Sequence, residues 1–420
     1  MRKTLALLFY IFISFSAFAQ ADTTQKIVSG RRNSPDQQQK PYVILISADG
    51  FRYDYAEKYG AKNLLAFGRS GVRAKSMIPS FPSLTFPNHY TIVTGLYPSH
   101  HGLVDNNFYD PDRKDSYSMR NNQKVQDGTW YGGTPLWVLA EKQGMLAASF
   151  YWVGSEADIQ GIRPTYYYNY NEEIDIDKRI QAVKDWLSLP GDRRPHLITF
   201  YLPEVDHAGH RYGPEAEETR KEVLFVDSAL NALVNAVAGT GLPVNFIFVS
   251  DHGMTKVDTA STLPQPTVID TSKFKVSGGG VLVQLFAKDK KDIRSQYLKL
   301  KKSQNGYRTY LKTNVPRRLH FGLEDDFHNR IGDILLIPDG PRVFNLNNRK
   351  TPIGWHGYDP TVVKDMDAVF FAWGPAFKNG IQIPAFKNVD VYPMITEILQ
   401  LKTDEKIDGT GKTALRILKK

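Results

Sequence analysis

Three continuous apolar runs stand out along the chain, and each leads to an acidic residue. They are PYVILISADG, HLITFYLPEVD and LPVNFIFVSDHG, and they lead to Asp49, Asp206 and Asp251. Uninterrupted apolar runs of this length are typical of strands that are buried on both faces of a parallel sheet. Residues 134–143 and 215–238 have helix-like patterns. This alternation predicts an α/β fold with a largely parallel central sheet flanked by helices.

A different pattern interrupts this alternation over residues 258–345. It comprises a Gly-Gly-Gly turn, the strand-like VLVQLFAK, a Lys-rich helical stretch and the strand-like IGDILLIP. We expect a small inserted α+β lobe there, with the core built from residues 39–257 and 346–420. Residues 20–38 are polar and aperiodic, which predicts a flexible leader.

The first residues, MRKTLALLFYIFISFSAFAQ, have the pattern of a secretory signal peptide. A basic start is followed by a short apolar run and by the small residues of a cleavage site near Ala19. We therefore expect residues 1–19 to be removed and the protein to be periplasmic or secreted, with an uncleaved anchor helix as the alternative. No later stretch approaches the roughly 18 apolar residues that a membrane span needs.

Composition narrows the chemistry that is available. The chain has 420 residues and no cysteine, which excludes disulfides, thiolate nucleophiles and thiolate zinc sites. Its formal charge of +9 mildly favours anionic partners, but the basic residues are scattered and form no stripe with a nucleic-acid motif. We expect a small-molecule substrate and no specific nucleic-acid binding. The sequence leaves the oligomeric state open.

The residues near the strand ends include the side chains of a metal centre. The carboxyl ends of parallel strands meet at one edge of an open sheet, which is where ligands bind. Acid and imidazole ligands without sulfur suit Zn²⁺, or less selectively Mn²⁺ or Co²⁺. Together with the Thr85 hydroxyl, six side chains would hold two ions; the six are Asp49, Asp206, His210, Asp251, His252 and His356.

Thr85 lies in FPSLTFPNHYTIVTG, at the predicted start of a helix. One interpretation is an ordinary capped helix, since Thr and Pro favour the first positions of a helix. The other is a nucleophile held where helix amides favour a phosphate. Two cations about 4 Å apart can clamp the attacking and leaving oxygens of a phosphoryl transfer and activate a hydroxyl. The metal-site prediction therefore favours a nucleophile and a covalent phospho-threonyl intermediate.

Six motifs follow one another in a specific order: ISADGFR, SLTFPNHYTIVTGLYPSHHGLVDNNFYDP, TWYGGTPLW, YLPEVDHAGHRYGP, SDHGM and WHGYDP. In this order the chain, from about residue 40 to its C-terminus, resembles the nucleotide pyrophosphatase/phosphodiesterases of the alkaline phosphatase superfamily, as a bacterial secreted member. The resemblance implies an alkaline phosphatase-like core and two Zn²⁺ per chain. It assigns one zinc to Asp206, His210 and His356 and the second to Asp49, Asp251 and His252, with Thr85 beside it.

The resemblance also implies roles in substrate binding for three further residues. Asn106 matches the family's side-chain amide, which donates to a non-bridging phosphate oxygen and so stabilises developing negative charge. Phe86 and Tyr167 match the positions that stack a nucleobase, and aromatic faces suit that task.

Charge near the reacting phosphate argues for a diester or pyrophosphate substrate. Thr-nucleophile monoesterases of the superfamily meet the extra charge of their substrate with a Lys/Arg pair, and the matching residues 149–158 contain neither. We therefore predict a zinc-dependent phosphodiesterase or nucleotide pyrophosphatase. An alkaline phosphomonoesterase, a choline phosphodiesterase and a non-catalytic periplasmic metal- or nucleotide-binding protein remain as alternatives.

Overall fold

The computed structural model describes residues 22–403 and 405–419. The signal peptide predicted for residues 1–19 and the first two residues of the leader lie outside them. The strands are β1 (Lys26–Ile27), β2 (Tyr42–Ala48), β3 (Val72–Ala74), β4 (Met77–Ile78), β5 (Asn107–Asp110), β6 (Asp115–Ser118), β7 (Ala147–Phe150), β8 (Tyr166–Tyr168), β9 (Leu197–Leu202), β10 (Val244–Val249), β11 (Thr255–Lys256), β12 (Phe274–Gly279), β13 (Leu282–Ala287), β14 (Tyr307–Leu311), β15 (Ile334–Pro338), β16 (Gly354–Trp355), β17 (Phe370–Trp373), β18 (Ile381–Ile383) and β19 (Phe386–Lys387).

The α-helices of the described residues are α1 (Tyr55–Tyr59), α2 (Lys62–Ser70), α3 (Thr85–Thr94), α4 (Pro98–His101), α5 (Asn122–Val125), α6 (Leu136–Lys142), α7 (Ile176–Ser188), α8 (Glu204–Tyr212), α9 (Glu217–Ala238), α10 (Ile293–Ser303), α11 (Val391–Leu399) and α12 (Lys412–Ile417). None of these helices is both long enough and apolar enough to cross a membrane.

Nine strands form the central sheet, in the order β1-β8-β7-β9-β2-β10-β17-β3-β18. The neighbouring strands β8, β7, β9, β2 and β10 run parallel, whereas β1 and β17 pair antiparallel with their neighbours. The three apolar runs of the sequence form β2, β9 and β10, which lie side by side. The predicted α/β fold with a largely parallel central sheet is confirmed.

Alternate residues of β2 face the two sides of the central sheet. Val43 and Leu45 pack into a hydrophobic cluster with residues of α3, α6 and α11, whereas Ile44 and Ile46 pack with residues of α7 and α9. All four side chains are fully buried. Helices on both faces therefore explain why this strand is a continuous apolar run without polar alternation.

A second sheet lies outside the central one, between residues 274 and 338. Its strands run antiparallel in the order β12-β13-β15-β14. Leu300 of α10 packs into its hydrophobic core beside Phe274 and Leu285. This is an α+β lobe within the segment where the sequence predicted one; the boundaries 258 and 345 stay a prediction.

The leader contributes to the central sheet, which corrects the expectation of a flexible segment over residues 20–38. β1 pairs antiparallel with β8 at one edge. Asn33 is buried, and its Nδ2 donates to the carbonyl oxygens of Gly191 and Arg194 at 2.9 and 2.6 Å. Backbone pairing and a single buried amide require no hydrophobic periodicity, so this part of the fold leaves no pattern in the sequence.

Candidate metal centre

The carboxyl ends of β2, β9 and β10 meet at one edge of the central sheet and bring three acids together. Asp49 directly follows β2, Asp251 follows β10, and Asp206 lies in the first turn of α8, just after β9. Gly50 has a φ of +66°, and a Cβ there would lie 3.0 Å from the Asp206 Cα. A residue without a side chain is therefore required where these two strand ends approach each other.

Asp206, His210 and His356 form a first cluster of donor atoms. His210 lies one helical turn beyond Asp206, and the Nε2 atoms of His210 and His356 are 3.1 Å apart. Nδ1 of His210 donates to the Gly354 carbonyl oxygen at 2.8 Å, and Nδ1 of His356 donates to that of Ser83 at 3.0 Å. Because each Nδ1 donates to a backbone carbonyl, the Nε2 atoms of both rings face the same region and are the atoms free to bind a metal.

Asp49, Asp251 and His252 form a second cluster, beside Thr85. Nδ1 of His252 donates to the carbonyl oxygen of the following residue at 2.9 Å, so its Nε2 is the ring nitrogen that faces the acids. This Nε2 lies 3.0 Å from Asp251 Oδ2 and 3.4 Å from Asp49 Oδ1. It also lies 3.3 Å from Thr85 Oγ1. Asp206 groups with Asp49 and His252 as well, so the two clusters adjoin.

The donor atoms of the two clusters fit a metal centre. Asp49 Oδ1, Asp206 Oδ1 and Asp251 Oδ2 are buried and have no hydrogen-bond partner among the described residues. Buried carboxylates are strongly destabilising unless they are paired or coordinate a metal. Lone pairs of imidazole nitrogens and carboxylate oxygens that face one another also repel. A cation between them removes both costs, and Zn²⁺ accepts these nitrogen and oxygen donors.

Burial sets the direction of the pKa shift for Asp49 and His356. Against the effect of burial, His252 and His89 lower the pKa of Asp251, and Asp251 raises the pKa of His252. Burial raises the pKa of Asp49 well above the usual range, and the neighbouring charge of Asp251 adds to the effect. Burial lowers the pKa of His356 well below the usual range, and the neighbouring His252 adds to that. Neutral imidazole is the form that binds a metal, and a bound cation would favour the ionised form of Asp49.

Thr85 is the first residue of α3, but its side chain does not cap the helix. The N-cap position belongs to Leu84, and the helix start has no side-chain cap hydrogen bond. The Thr85 hydroxyl lies against His252 instead. The first interpretation of this stretch, in which Thr85 is an ordinary helix cap, is therefore wrong.

Asn106 is held beside the start of α3. Its Oδ1 accepts a hydrogen bond from the backbone N–H of Phe86 at 2.9 Å. This bond fixes the orientation of the amide and leaves its Nδ2 group without a partner among the described residues. The structure thus brings Asn106 next to Phe86 and Thr85, in a position where Nδ2 can donate to a ligand; its role in binding phosphate stays a prediction.

His89 is a residue of the site that the sequence analysis left without a role. It lies one turn after Thr85 in α3, and its Nδ1 is 3.0 Å from the Thr85 carbonyl oxygen and 3.2 Å from Asp251 Oδ2. It also groups with Asp49 and Asp251 as a possible donor set. Its Nε2 lies 2.8 Å from Ser47 Oγ, however, so both ring nitrogens already have oxygen partners. The spacing of four residues from Thr85 was the available sequence signal.

The aromatic residues predicted to stack a base lie in different elements. Phe86 lies in the first turn of α3, with its ring centroid 6.2 Å from that of Tyr117. Tyr167 lies in β8, between β1 and β7, and no aromatic contact of the described residues joins it to the clusters. The stacking role of Tyr167 stays a prediction.

Tyr170 is the tyrosine of PTYYYNYN that the structure connects to the site. Its ring centroid is 6.0 Å from that of Tyr201, whose hydroxyl donates to Asp49 Oδ2 at 2.6 Å. Its side chain is exposed enough to receive a ligand. Sequence alone does not rank these neighbouring tyrosines, because the backbone direction after β8 decides which ring faces the site.

Comparison with known proteins places this chain in a family. The family model described as type I phosphodiesterase / nucleotide pyrophosphatase matches residues 43–359. The chain belongs to this family. This chain is 36% identical over 395 residues to human ectonucleotide pyrophosphatase/phosphodiesterase family member 1. The aligned region covers 90% of this chain and 42% of the human protein. It is also 33% identical over 410 residues to an uncharacterized pyrophosphatase/phosphodiesterase of Schizosaccharomyces pombe. That aligned region covers 93% of this chain and 83% of the yeast protein.

A solved structure of a similar protein shares the fold. It is murine ectonucleotide pyrophosphatase / phosphodiesterase 5, as an inactive threonine-to-alanine variant in complex with AMP. The match has a TM-score of 0.83 and 26% identity, and it covers 90% of this chain and 100% of that chain. The family is one of hydrolases, as the names of these relatives state. The chain spans less than half the length of the human relative, 42% of it.

Proposed function

We propose that this chain is a zinc-dependent phosphodiesterase/nucleotide pyrophosphatase that hydrolyses nucleotides through a phospho-threonine intermediate on Thr85. The observation that carries the proposal is the position of Thr85 Oγ1, 3.3 Å from His252 Nε2 in one of two adjoining acid–imidazole clusters. Metal coordination activates a hydroxyl as a nucleophile, whereas a protein that only binds has no need of one. The inactivity of the murine threonine-to-alanine variant, and its complex with AMP, support a catalytic threonine and a nucleotide ligand.

Two zinc ions would be held by the two clusters. Asp206, His210 and His356 would hold one ion, and Asp49, Asp251 and His252 would hold the other beside Thr85. When bound, zinc would supply the positive charge that lowers the pKa of the Thr85 hydroxyl, offsets the charge of the phosphate oxygens and activates water.

The residues of the chain would then perform two displacements. Thr85 Oγ1 attacks the phosphorus, the bond to the leaving oxygen breaks, and the hydroxyl proton passes through solvent to the leaving group. Water then cleaves the phospho-threonine ester and restores the Thr85 hydroxyl. Asn106 Nδ2 donates to a non-bridging oxygen as negative charge develops. His89 and Tyr201 orient the ligand carboxylates through their own contacts.

The retained nucleotide would lie on the Phe86 side of the centre. The resemblance assigns base stacking to Phe86 and Tyr167, and the contact of Tyr170 with Tyr201 supports Tyr170 as an additional or alternative partner. Loss of affinity for thymidine 5′-monophosphate in Tyr170→Ala but not in Tyr167→Ala would assign the role to Tyr170, and the reverse result would assign it to Tyr167.

Replacing Thr85 tests the proposed function directly. We expect Thr85→Ala to lower zinc-supported hydrolysis of the p-nitrophenyl ester of thymidine 5′-monophosphate at least about a thousand-fold, with unchanged zinc content because the other six ligands remain. Thr85→Ser, which keeps a hydroxyl, is the matched control and retains part of the activity. Hydrolysis by Thr85→Ala at the wild-type rate would contradict the covalent mechanism. A wild-type preference for p-nitrophenyl phosphate would favour the monoesterase alternative.

We also propose that the protein is exported. The supporting observations are the signal-like pattern of residues 1–19 and the printed name of the human relative as an ectonucleotide enzyme. We expect the mature protein recovered from the periplasm or the medium to begin near Gln20. N-terminal sequencing that finds Met1 would contradict cleavage and favour the anchor.

A further inference from the structure

A cavity of about 470 Å³ lies between the core and the inserted lobe. Hairpin β5–β6 and the loop that contains Asn106 form its core side, and residues 277–279 at the end of β12 form its lobe side. Leu84 and Trp355 also line it. Because Leu84 directly precedes Thr85, the cavity begins beside the nucleophile.

The cavity extends from the Thr85 side of the centre to the cluster that contains His210 and His356. Trp355 directly precedes His356, and its ring centroid is 5.9 Å from that of His210. Thr85 lies against His252, which belongs to the other cluster. In an in-line displacement the attacking and leaving oxygens lie on opposite sides of the phosphorus. A phosphorus attacked by Thr85 would therefore expel its leaving oxygen toward the cluster of His210, next to the cavity.

The lining of the cavity is aromatic and polar but carries no positive charge. Trp355 and Tyr117 supply aromatic surface, while Ser277 and Asn107 supply hydroxyl and amide groups. Among the described residues that line the cavity, none is Lys or Arg, and the acidic one is Asp105. A dianionic or trianionic group would lose its hydration there and gain no cationic side chain in return.

We propose that this cavity is the leaving-group subsite, and that it selects a planar, uncharged leaving group such as a nucleoside over pyrophosphate. The proposal rests on the proposed function and deepens it, since it makes nucleotide diesters better substrates than nucleoside triphosphates. An aromatic leaving group stacks on the Trp355 ring. That ring is held by close packing on the lobe, because a Cβ at Gly280 would lie 2.7 Å from it.

The test uses zinc-loaded protein and three substrates that share a retained thymidine 5′-phosphoryl group. Their leaving groups are a nucleoside, in a dinucleoside monophosphate; methanol, in a methyl ester; and pyrophosphate, in thymidine triphosphate. kcat/KM is measured from the thymidine 5′-monophosphate released. Because each variant is judged by the ratio of two substrates, the intrinsic reactivity of the leaving groups cancels.

Two variants change the cavity in opposite ways. We expect Trp355→Ala to lower kcat/KM for the dinucleoside monophosphate about ten-fold relative to the methyl ester, because a stacking face is lost. We expect Ser277→Lys to raise kcat/KM for the triphosphate relative to the methyl ester, because it places a cation in the lining. Ser295→Lys adds the same charge to the exposed surface of α10 and should leave both ratios unchanged.

The outcomes separate failure of the subsite from failure of the proposed function. Unchanged ratios in both Trp355→Ala and Ser277→Lys would overturn the subsite while leaving hydrolysis intact. If Trp355→Ala loses zinc or methyl-ester hydrolysis, Ser277→Lys decides by itself, and an unchanged triphosphate ratio overturns the proposal. A wild-type protein that hydrolyses none of the three substrates would overturn the proposed function, and the subsite with it.

Discussion

Gly50 sets how closely the strand ends that carry the proposed metal ligands Asp49 and Asp206 approach each other. Its backbone has a φ of +66°, and its missing side chain leaves room for the Asp206 Cα, Cβ and Oδ1 within 3.2 Å of where a Cβ would lie. Gly60 also has a positive φ, of +71°, but a Cβ there would meet nothing within 4 Å. Comparing Gly50 with Gly60 therefore separates the cost of backbone strain from the cost of displacing the Asp206 carboxylate.

We expect Gly50→Ala to lower zinc content and hydrolysis, because the new methyl group displaces Asp206. Both Gly50→Ala and the control Gly60→Ala should lose about 1–2 kcal/mol in the free energy of unfolding from the strained backbone. The measurements are elemental analysis of the purified variants and urea unfolding. Full zinc content in Gly50→Ala would show that Asp206 is not needed for binding, or that the strand end moves freely.

Asp105, in the cavity wall, makes the stability of the protein depend on pH. Burial raises the pKa of its carboxyl from 3.8 to about 7, in spite of hydrogen bonds from the Asn107 and Asn106 backbone amides. The folded state therefore binds a proton more tightly than the unfolded state does, and this group's contribution to stability falls as pH rises from about 4 to about 7.

We expect Asp105→Asn to remove this contribution. The free energy of unfolding of the variant, relative to wild type, should rise between about pH 4 and pH 7 and stay higher above about pH 7. Urea unfolding at several pH values measures the difference, so that the titration of other groups cancels. A difference that does not change with pH would show that Asp105 has an ordinary pKa.

At the scale of elements, Arg330 joins the inserted lobe to hairpin β5–β6. Its Nε donates to Asp110 Oδ2 at 2.9 Å, and its Nη1 donates to the carbonyl oxygens of Gly102 and Trp130 at 2.9 and 2.7 Å. The side chains of Arg330 and Asp110 are only 5% and 4% exposed. The two sides of the proposed leaving-group cavity are thus fixed to each other by a buried ion pair with well-placed hydrogen bonds.

We expect Arg330→Met to lower the free energy of unfolding by about 3–5 kcal/mol, because it leaves the Asp110 carboxylate buried without its partner. Arg308→Met is the matched control. It removes one member of the Arg308–Asp339 pair, whose side chains are 63% and 50% exposed, and should cost about 0–1 kcal/mol. Urea unfolding measures both. Equal losses in the two variants would mean that the buried pair contributes no more than a surface one.

At the scale of the whole molecule, the two clusters join β2, β10, α3, α8 and the segment after β16. Ligands that bind only the folded state stabilise it, by about 2.7 kcal/mol at a free concentration 100 times Kd. We expect chelation to lower Tm and abolish hydrolysis, and zinc to restore both with two ions per chain in a calorimetric titration. Mg²⁺, which prefers octahedral oxygen sites, is the control and should restore neither. A titration that ends at one zinc ion would contradict the two-ion assignment.

The parts of this molecule that leave a pattern in the sequence were predictable from it. Strands buried on both faces leave continuous apolar runs, and acids that follow adjacent parallel strands must meet at one edge, so the convergence of Asp49, Asp206 and Asp251 was predictable. The role of β1 was not, because two paired residues show no periodicity. His89 and Tyr170 were missed because the local backbone decides which way each ring points. The roles of the individual site residues stay predictions until they are tested.

The two edge strands of the central sheet are short. β1 offers only Lys26–Ile27 at one margin, and β18 offers only Ile381–Ile383 at the other. A long, flat margin with unsatisfied amides is a template onto which a strand from another molecule can add. Here the edge strands offer only two or three residues for backbone hydrogen bonds with a strand of another molecule. Edge strands this short disfavour the joining of two copies through their central sheets.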